Sequence, residues 1–363
     1  MTAPALRGGF TTGACATAAA KAALLAWLEQ RTVTAVDIAL PSGEPVRFAI
    51  EACCFDVEGA TCSVRKDGGD DPDATTGVEI GCHATWRPEP GVAFRRGEGV
   101  GLVTLPGLPV PVGEPAINPV PRRMMAAAVQ DVLSAHGGGA VLEVFARGGC
   151  EAAGRTLNAR LGIVGGISII GTTGHVRPFS AEAYVAAIRS GLDVAAATGC
   201  PQVVLNSGGR SEAMLRAQLP ALPPQAFVQY GNWIGAAFEY LRMTTLRRAT
   251  LGLMLGKAVK LASGALDTHS RAGLWDRDFV AGLMRHCGYE AGLIARVAEL
   301  PLARQLGEVV PFRAAEPLYQ EICGRCHAAC VALVPGLDLD VRLHNDGAGW
   351  ILHRIGSAAQ DAP

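Results

Sequence analysis

The triplet Thr-Thr-Gly occurs three times in this chain, at Thr11-Thr12-Gly13, Thr75-Thr76-Gly77 and Thr172-Thr173-Gly174. Two hydroxyls beside a flexible glycine, set before a helix, form a small cradle for an anion or a polar ligand. The same residues also cap helices and close ordinary turns, which is their commoner use. The third triplet follows Gly165-Gly166-Ile167-Ser168-Ile169-Ile170-Gly171. That run reads as a strand with the triplet at its carboxyl end, where α/β sheets place ligands. Its glycines do not spell the Gly-x-Gly-x-x-Gly dinucleotide fingerprint, so the pattern alone yields a ligand loop and nothing finer.

Asp67-Gly68-Gly69-Asp70-Asp71-Pro72-Asp73 packs four carboxylates into seven residues. A Ca²⁺ loop alternates its ligands and closes on a distant Glu, which this segment does not do. Converging carboxylates can serve as a general base or hold a cation, while a solvated acidic turn explains the composition equally well. Gly231-Asn232-Trp233-Ile234-Gly235 stands at a strand-to-helix junction, and so does Gly256-Lys257, followed by Lys260. Lysines at a strand's carboxyl end are placed for carboxylate binding, although an isolated lysine is usually only surface charge. Asp267-Thr268-His269-Ser270-Arg271 gathers an acid, a hydroxyl, an imidazole and a guanidinium on one loop, the kind of segment in which function concentrates.

Cys323-x-x-Cys326-His327-x-x-Cys330 contains a c-type haem attachment string and also four conceivable zinc ligands. On a helix these residues fall at i, i+3, i+4 and i+7, on one face with Tyr319, Ile322 and Leu333. Such a stripe is ordinarily core, because cysteine behaves as a small buried hydrophobe. No protein-bound metal is therefore expected.

The elements that must position these groups follow from composition and periodicity. Of 363 residues 49% are hydrophobic and only 18% charged, which excludes a disordered chain and suggests two domains. A formal net charge of −1 supplies no general field for nucleic acid or an anionic membrane. No run approaches the ~20 apolar residues of a spanning helix. The N-terminus has no signal-peptide pattern, and eleven scattered cysteines lack a disulfide framework, so the expected location is the cytoplasm.

The fold class expected is α/β in two domains. Residues 1–152 read as an α+β domain with helices on one face of a sheet: a helix from about Ala14 to Gln30, short alternating strands, and a helix from about Pro121 to Ala135. Residues 153–355 read as a Rossmann-like domain with a mostly parallel sheet. Its strands are Gly162–Ile170, Val203–Leu205, Phe227–Tyr230 and Thr250–Leu255, each followed by a helix, with a terminal hairpin turned at Asn345-Asp346-Gly347. The boundary falls near Gly148–Gly154.

Taken together, the strings resemble the cobalt-precorrin-5B C-1-methyltransferase family of anaerobic cobalamin biosynthesis, known as CbiD. The resemblance rests on Leu6-Arg7-Gly8-Gly9-Phe10-Thr11-Thr12-Gly13-Ala14-Cys15 leading into the alanine-rich helix with Lys21. It continues through residues 66–73, Asn118-Pro119-Val120-Pro121-Arg122, residues 158–174, and Arg177-Pro178. It ends with residues 231–235, Gly256-Lys257 with Lys260, and Thr268-His269-Ser270. Beyond about residue 271 the match is only general, and the Cys-rich helix is not part of the family pattern. Asn206-Ser207-Gly208-Gly209 stands where a more Pro-Gly-like turn is expected.

The resemblance implies transfer of a methyl group from S-adenosylmethionine to C-1 of cobalt-precorrin-5B, giving cobalt-precorrin-6A, with the cobalt belonging to the substrate. A flat apolar ring edged with carboxylates needs an apolar floor and Arg or Lys at the rim. Arg7, Thr11, Thr12, Gly13, Arg122, Arg177, Asn232, Lys257, Lys260 and Arg271 are accordingly expected to hold the ring. Gly165, Gly166, Thr172, Thr173 and Gly174 are expected to hold the donor, across a cleft from the N-terminal turn and the acidic loop. Asp70, Asp71 or His269 would handle a proton. The only partner implied is the small tetrapyrrole, and a homodimer is compatible with it. Two other readings fit the same inventory: a nicotinamide-dependent reductase of a corrin precursor, which lacks its fingerprint here, and a non-catalytic tetrapyrrole carrier.

Overall fold

The computed structural model describes residues 6–268, 275–345 and 349–354, and they form two compact units divided between Ser180 and Ala181. In chain order the first unit comprises β1 (Gly9–Phe10), α1 (Thr12–Glu29), β2 (Ala35–Ala39), β3 (Pro45–Ala49), β4 (Ala52–Phe55), β5 (Ala60–Arg65), β6 (Glu79–Arg87), β7 (Gly91–Arg96), β8 (Leu102–Val103), α2 (Pro119–Leu133), β9 (Gly139–Arg147), α3 (Gly149–Ala153), β10 (Ile163–Val164) and β11 (His175–Val176).

α1 begins where the Thr11 hydroxyl accepts the N–H of Ala14 at 3.2 Å, an N-cap that satisfies one orphan donor of the first turn. Thirteen of its eighteen residues are buried, so it is an interior helix rather than an amphipathic one. Alanine makes this workable: its small side chain lets α2, β5 and β6 all pack closely against α1. The main sheet runs in the order β4-β5-β6-β9-β7, antiparallel except for the β7–β9 pair. Gly81 on β6 lies opposite Phe145 on β9, and a Cβ there would stand 2.0 Å from the Phe145 ring. The ring covers the space that the missing side chain leaves.

The apolar run after Gly162 departs from expectation. Only Ile163–Val164 is a strand, and it pairs with β8 of the first unit. Beyond it Val100 pairs with Ile167 and Ile117 with Ile169. Gly162 and Gly165 take φ of +69° and +78°, bending the chain, and a Cβ on Gly166 would meet the Gly99 carbonyl at 2.1 Å. The segment is thus clamped onto the loop around residues 99–118 and belongs to the first unit. The division lies near residue 180 rather than between 152 and 153.

The second unit comprises α4 (Ala181–Ala197), β12 (Val203–Asn206), α5 (Gly209–Gln218), β13 (Phe227–Gln229), α6 (Ile234–Leu241), β14 (Arg248–Met254), α7 (Leu255–Ala262), α8 (Arg277–His286), α9 (Ala291–Ala298), α10 (Leu306–Val309), α11 (Pro317–Leu333), β15 (Asp338–Asn345) and β16 (Gly349–Arg354). Its sheet order is β13-β12-β14-β15-β16. The first four strands are parallel and β16 joins antiparallel. Val203, Val204, Leu205, Leu251 and Leu253 have no exposed surface, as befits strands covered on both faces. The tip of the terminal hairpin, at Asp346 and Gly347, lies outside the described residues. No described helix is long and apolar enough to cross a membrane.

On α11, Cys323, Cys326 and Cys330 are wholly buried and His327 nearly so. Burial pushes the Cys323 thiol up to about 12 and the Cys326 thiol well above its ordinary value. The Cys326 S–H points at the carbonyl of Ala258 on α7, 3.2 Å away. These thiols are part of the second unit's core.

Two measurements check this packing. Gly81→Val should cost about 1–3 kcal/mol through overpacking against Phe145, seen as a lower melting temperature; an unchanged melt would mean that the ring swings aside freely. Cys326→Ala should lower stability by about 1–2 kcal/mol and leave turnover per folded molecule intact. Stoichiometric zinc that disappears on this substitution would make the helix a metal site instead.

Candidate functional site

In the first unit the N-terminal strand, the acidic loop and the third triplet come together. The N–H of Arg7 donates to Asp70 Oδ2 at 2.7 Å, and the N–H of Asp70 donates back to the Arg7 carbonyl at 2.9 Å. The N–H of Phe10 donates to the Asp67 carbonyl at 2.8 Å. The Arg7 guanidinium forks onto the Asp67 carboxylate, one contact being 3.0 Å. That hydrogen bond, with the Gly69 N–H, holds the Asp67 carboxyl down to about 2.

The glycines here admit backbone to backbone. A Cβ on Gly9 would lie 2.4 Å from the Asp67 carbonyl oxygen, and one on Gly69 would lie 2.3 Å from that of Arg7. Beneath the loop the Lys66 side chain is 1% exposed and its Nζ lies 2.6 Å from Asp73. Asp73 also accepts the Thr75 N–H at 2.7 Å and the Thr75 hydroxyl at 2.6 Å. Burial pushes the Asp73 carboxyl up, but the Lys66 and Thr75 hydrogen bonds outweigh it and the group sits below its ordinary range. Lys66 is the central residue that reading for candidate site groups missed. Its signal in the sequence was a lysine immediately ahead of four carboxylates.

The first and third triplets meet directly rather than facing each other across a cleft. β1 pairs with β11, the Thr11 N–H donates to the Gly174 carbonyl at 2.9 Å, and that of Gly13 to the Ile170 carbonyl at 2.9 Å. The Thr12 hydroxyl accepts the Ile170 N–H at 2.8 Å and donates toward the Ser168 carbonyl at 3.1 Å. The first triplet is therefore committed to the protein itself. In the third, Thr172 and Thr173 are exposed. The Thr173 hydroxyl bonds the backbone of His175, whereas that of Thr172 has no partner among the described residues. Gly174, at φ +86°, rests on Leu40.

The remaining expected residues of this unit fall into distinct places. Asp71 accepts the N–H of Phe179 at 2.9 Å. Asp70 and Asp71 thus each tether a neighbouring segment through one carboxylate oxygen. Gly165 lends its carbonyl to Arg96 at 3.3 Å, and the Gly166 backbone abuts Gly99, so protein accounts for both glycines. Arg122 directs its guanidinium to the Ile117 carbonyl at 2.8 Å and to Glu114 at 3.1 Å. Arg177 is exposed and has no ion-pair partner among the described residues.

In the second unit polar groups gather at the carboxyl edge of the parallel sheet. After β12, Ser211 Oγ accepts the N–H groups of Ser207 and Gly208, each at 3.1 Å, and Asn206 Oδ1 accepts Gly208 N–H at 3.2 Å. The loop is stiff, yet a Cβ on Gly208 or Gly209 would meet nothing within 4 Å, so one side of it is open. After β13, the Tyr230 hydroxyl donates to the Gly252 carbonyl at 3.0 Å. Lys257 Nζ donates to the Gly231 carbonyl and, at 2.9 Å, to Asn232 Oδ1, and lies 5.5 Å from the Tyr230 ring centroid. Burial, reinforced by nearby Lys260 and opposed by Asp267, draws the Lys257 amine down to about 8. Lys257 and Asn232 thus form one cluster, with the lysine holding a turn. The Asn232 carbonyl accepts the Thr268 N–H at 2.9 Å. His269 and Arg271 lie outside the described residues.

Comparison with known proteins places the chain. The family model described as CbiD matches residues 1–178, and that described as CbiD, C-terminal domain, matches residues 267–354. A protein of Prosthecochloris aestuarii named cobalt-precorrin-5B C(1)-methyltransferase is 44% identical over 94% of this chain and 95% of its own. Proteins of the same name from Geobacillus thermodenitrificans and Priestia megaterium are 44% and 40% identical, with 91% and 93% of this chain covered and 90% and 93% of theirs. Among solved structures, a cobalamin biosynthesis protein (cbiD) from Archaeoglobus fulgidus aligns over 78% of this chain and 85% of its own, at 24% identity and a TM-score of 0.40. By the matched length of both family models and by these relatives, the chain belongs to the CbiD family.

Proposed function

We propose that the protein transfers the methyl group of S-adenosylmethionine to C-1 of cobalt-precorrin-5B in the anaerobic branch of cobalamin biosynthesis. One observation carries this: relatives alike over nine-tenths of both chains bear that name. In the transfer a ring carbon supplies an electron pair to the methyl carbon while the C–S pair withdraws onto sulfur, leaving S-adenosylhomocysteine. The chain's task is to align the two reactants and exclude water, so positioning and fixed dipoles carry the catalysis.

For the donor we favour the second unit. Its parallel strands run in the order β13-β12-β14-β15, a Rossmann-like arrangement in which the order of strand addition reverses between β12 and β14. Loops leaving the carboxyl ends of those two strands diverge, and such a switch point is where open α/β sheets bind nucleosides. The open side of Gly208-Gly209, after β12, and Lys257, on the helix after β14, stand there. This moves the donor from the Thr172–Gly174 loop, whose assignment assumed a strand of the parallel sheet. The exposed Thr172 and Thr173, with Arg177, then serve the carboxylate-edged ring, and Asp70, Asp71 or His269 remains the candidate for a proton.

The wild-type protein should bind S-adenosylhomocysteine in calorimetry and pass labelled methyl into the cobalt tetrapyrrole, with no saturable NADPH binding. Micromolar NADPH binding without methyl transfer would favour a reductase instead. Within the protein, Gly208→Val has room for its side chain. It should weaken S-adenosylhomocysteine at least about tenfold, a loss of about 1.4 kcal/mol, and leave the tetrapyrrole unaffected. Thr172→Val should do the reverse, weakening the tetrapyrrole by about 1 kcal/mol for a lost hydrogen bond. If Thr172→Val loses the donor product and Gly208→Val keeps it, the donor belongs on the triplet loop after all.

A further inference from the structure

A cleft of about 370 Å³ opens in the first unit between α1, the end of β2 and α2. Ile38, Leu40, Val120 and Met124 give it an apolar lining, and Lys21, Arg123 and Asp131 supply its charges. The volume lies in the range of small-molecule sites, about 300–1,000 Å³, and an apolar lining with a few polar groups is their usual make-up.

Neither of its cations pairs with a side-chain carboxylate among the described residues, as many others of this unit do. Arg7, Arg65 and Arg147 each face a carboxylate. The Arg123 guanidinium has no ion-pair or hydrogen-bond partner among the described residues. Lys21 Nζ donates at 2.7 Å to the main-chain carbonyl of Asp37, so no side-chain carboxylate neutralises it. On α2, Arg123, Ala127 and Asp131 follow at intervals of four on one face, which sets the cation about 12 Å along the helix from the acid. Between them Ala127 is small and exposed, and the room above it is part of the cleft. A ligand carboxylate is attracted to the Lys21–Arg123 end and repelled from the Asp131 end, so the cleft has a polarity as well as a shape. Leu40, which lines the cleft, also lies against Gly174 of the triplet loop.

We propose that this cleft receives a carboxylate-bearing edge of a flat apolar ligand, with Arg123 and Lys21 on the acid and Ile38, Leu40, Val120 and Met124 against the ring. This rests on the reading above that the substrate is a tetrapyrrole acid, and it identifies where one acid-bearing ring is seated.

The test titrates the full chain with cobalt-precorrin-5B by absorbance and with S-adenosylhomocysteine by calorimetry, with thermal melts to establish folding. Arg123→Gln removes the unpaired cation, Arg123→Lys keeps the charge, and Ala127→Trp fills the cleft from an exposed helix position. Arg123→Gln and Ala127→Trp should each raise the tetrapyrrole Kd about tenfold or more, and Arg123→Lys should recover most of that loss. Donor-product binding should stay unchanged in all three. Folded variants that bind the tetrapyrrole as the wild type does would overturn the inference and leave the proposed methyl transfer standing. Should Ala127→Trp melt early, Arg123→Gln decides alone. A wild-type chain that binds S-adenosylhomocysteine but no tetrapyrrole would overturn the substrate reading, and this inference with it.

Discussion

Between Gly9 and Gly68 there is no room for a side chain, and much of the first unit's candidate site depends on that contact. A Cβ on Gly9 would stand 2.3 Å from the Gly68 carbonyl carbon, so residues 7–10 can lie on the acidic loop only as bare backbone. Once they do, Arg7 and Asp70 exchange hydrogen bonds, β1 pairs with β11, and Thr12 takes hold of Ile170. Lys66 and Asp73 anchor the arrangement from below as a buried ion pair whose remaining acceptor capacity is met by Thr75. Removing one member of such a pair strands a buried charge, which costs far more than the pair itself contributes.

This arrangement alters the meaning of charge in the chain. Arg7 and Arg122 sit in strings that suggest a carboxylate-binding rim, yet each, like Arg65 and Lys66, is engaged by the protein's own oxygens. What distinguishes a ligand-facing cation is that no carboxylate of the protein neutralises it, and Lys21 meets only a main-chain carbonyl. Arg123 and Arg177 satisfy that criterion among the described residues. The near-neutral net charge agrees with such an economy, since the field felt by an anionic ligand comes from a few placed groups.

The second unit solves a different problem. A parallel sheet buried on both faces leaves only its edges for chemistry, and the loops at its carboxyl edge must be held without filling the crevice. Ser211 and Asn206 hold the loop after β12 through its backbone, and Lys257 holds the loop after β13 in the same way. An amine drawn down to about 8 by burial shows what that placement costs the lysine, and its two oxygen partners show what offsets the cost.

Read by itself, the sequence determined the local elements and the family. The alanine run after Thr11 made a helix, the continuous apolar strings Val203–Leu205 and Thr250–Leu255 held buried parallel strands, and the cysteine stripe of α11 made core. Each of these depends on periodicity and side-chain size, which are properties of neighbouring residues. Tertiary structure alone decided which glycines are closed off by protein and which have open space beside them, because a missing Cβ looks the same in a sequence whatever fills its place. It also decided that residues 163–176 belong to the first unit, since an apolar run with four glycines can clamp onto a loop as readily as enter a sheet. Arg123 shows the complementary case: its guanidinium lacks a partner among the described residues, and only packing reveals an absence.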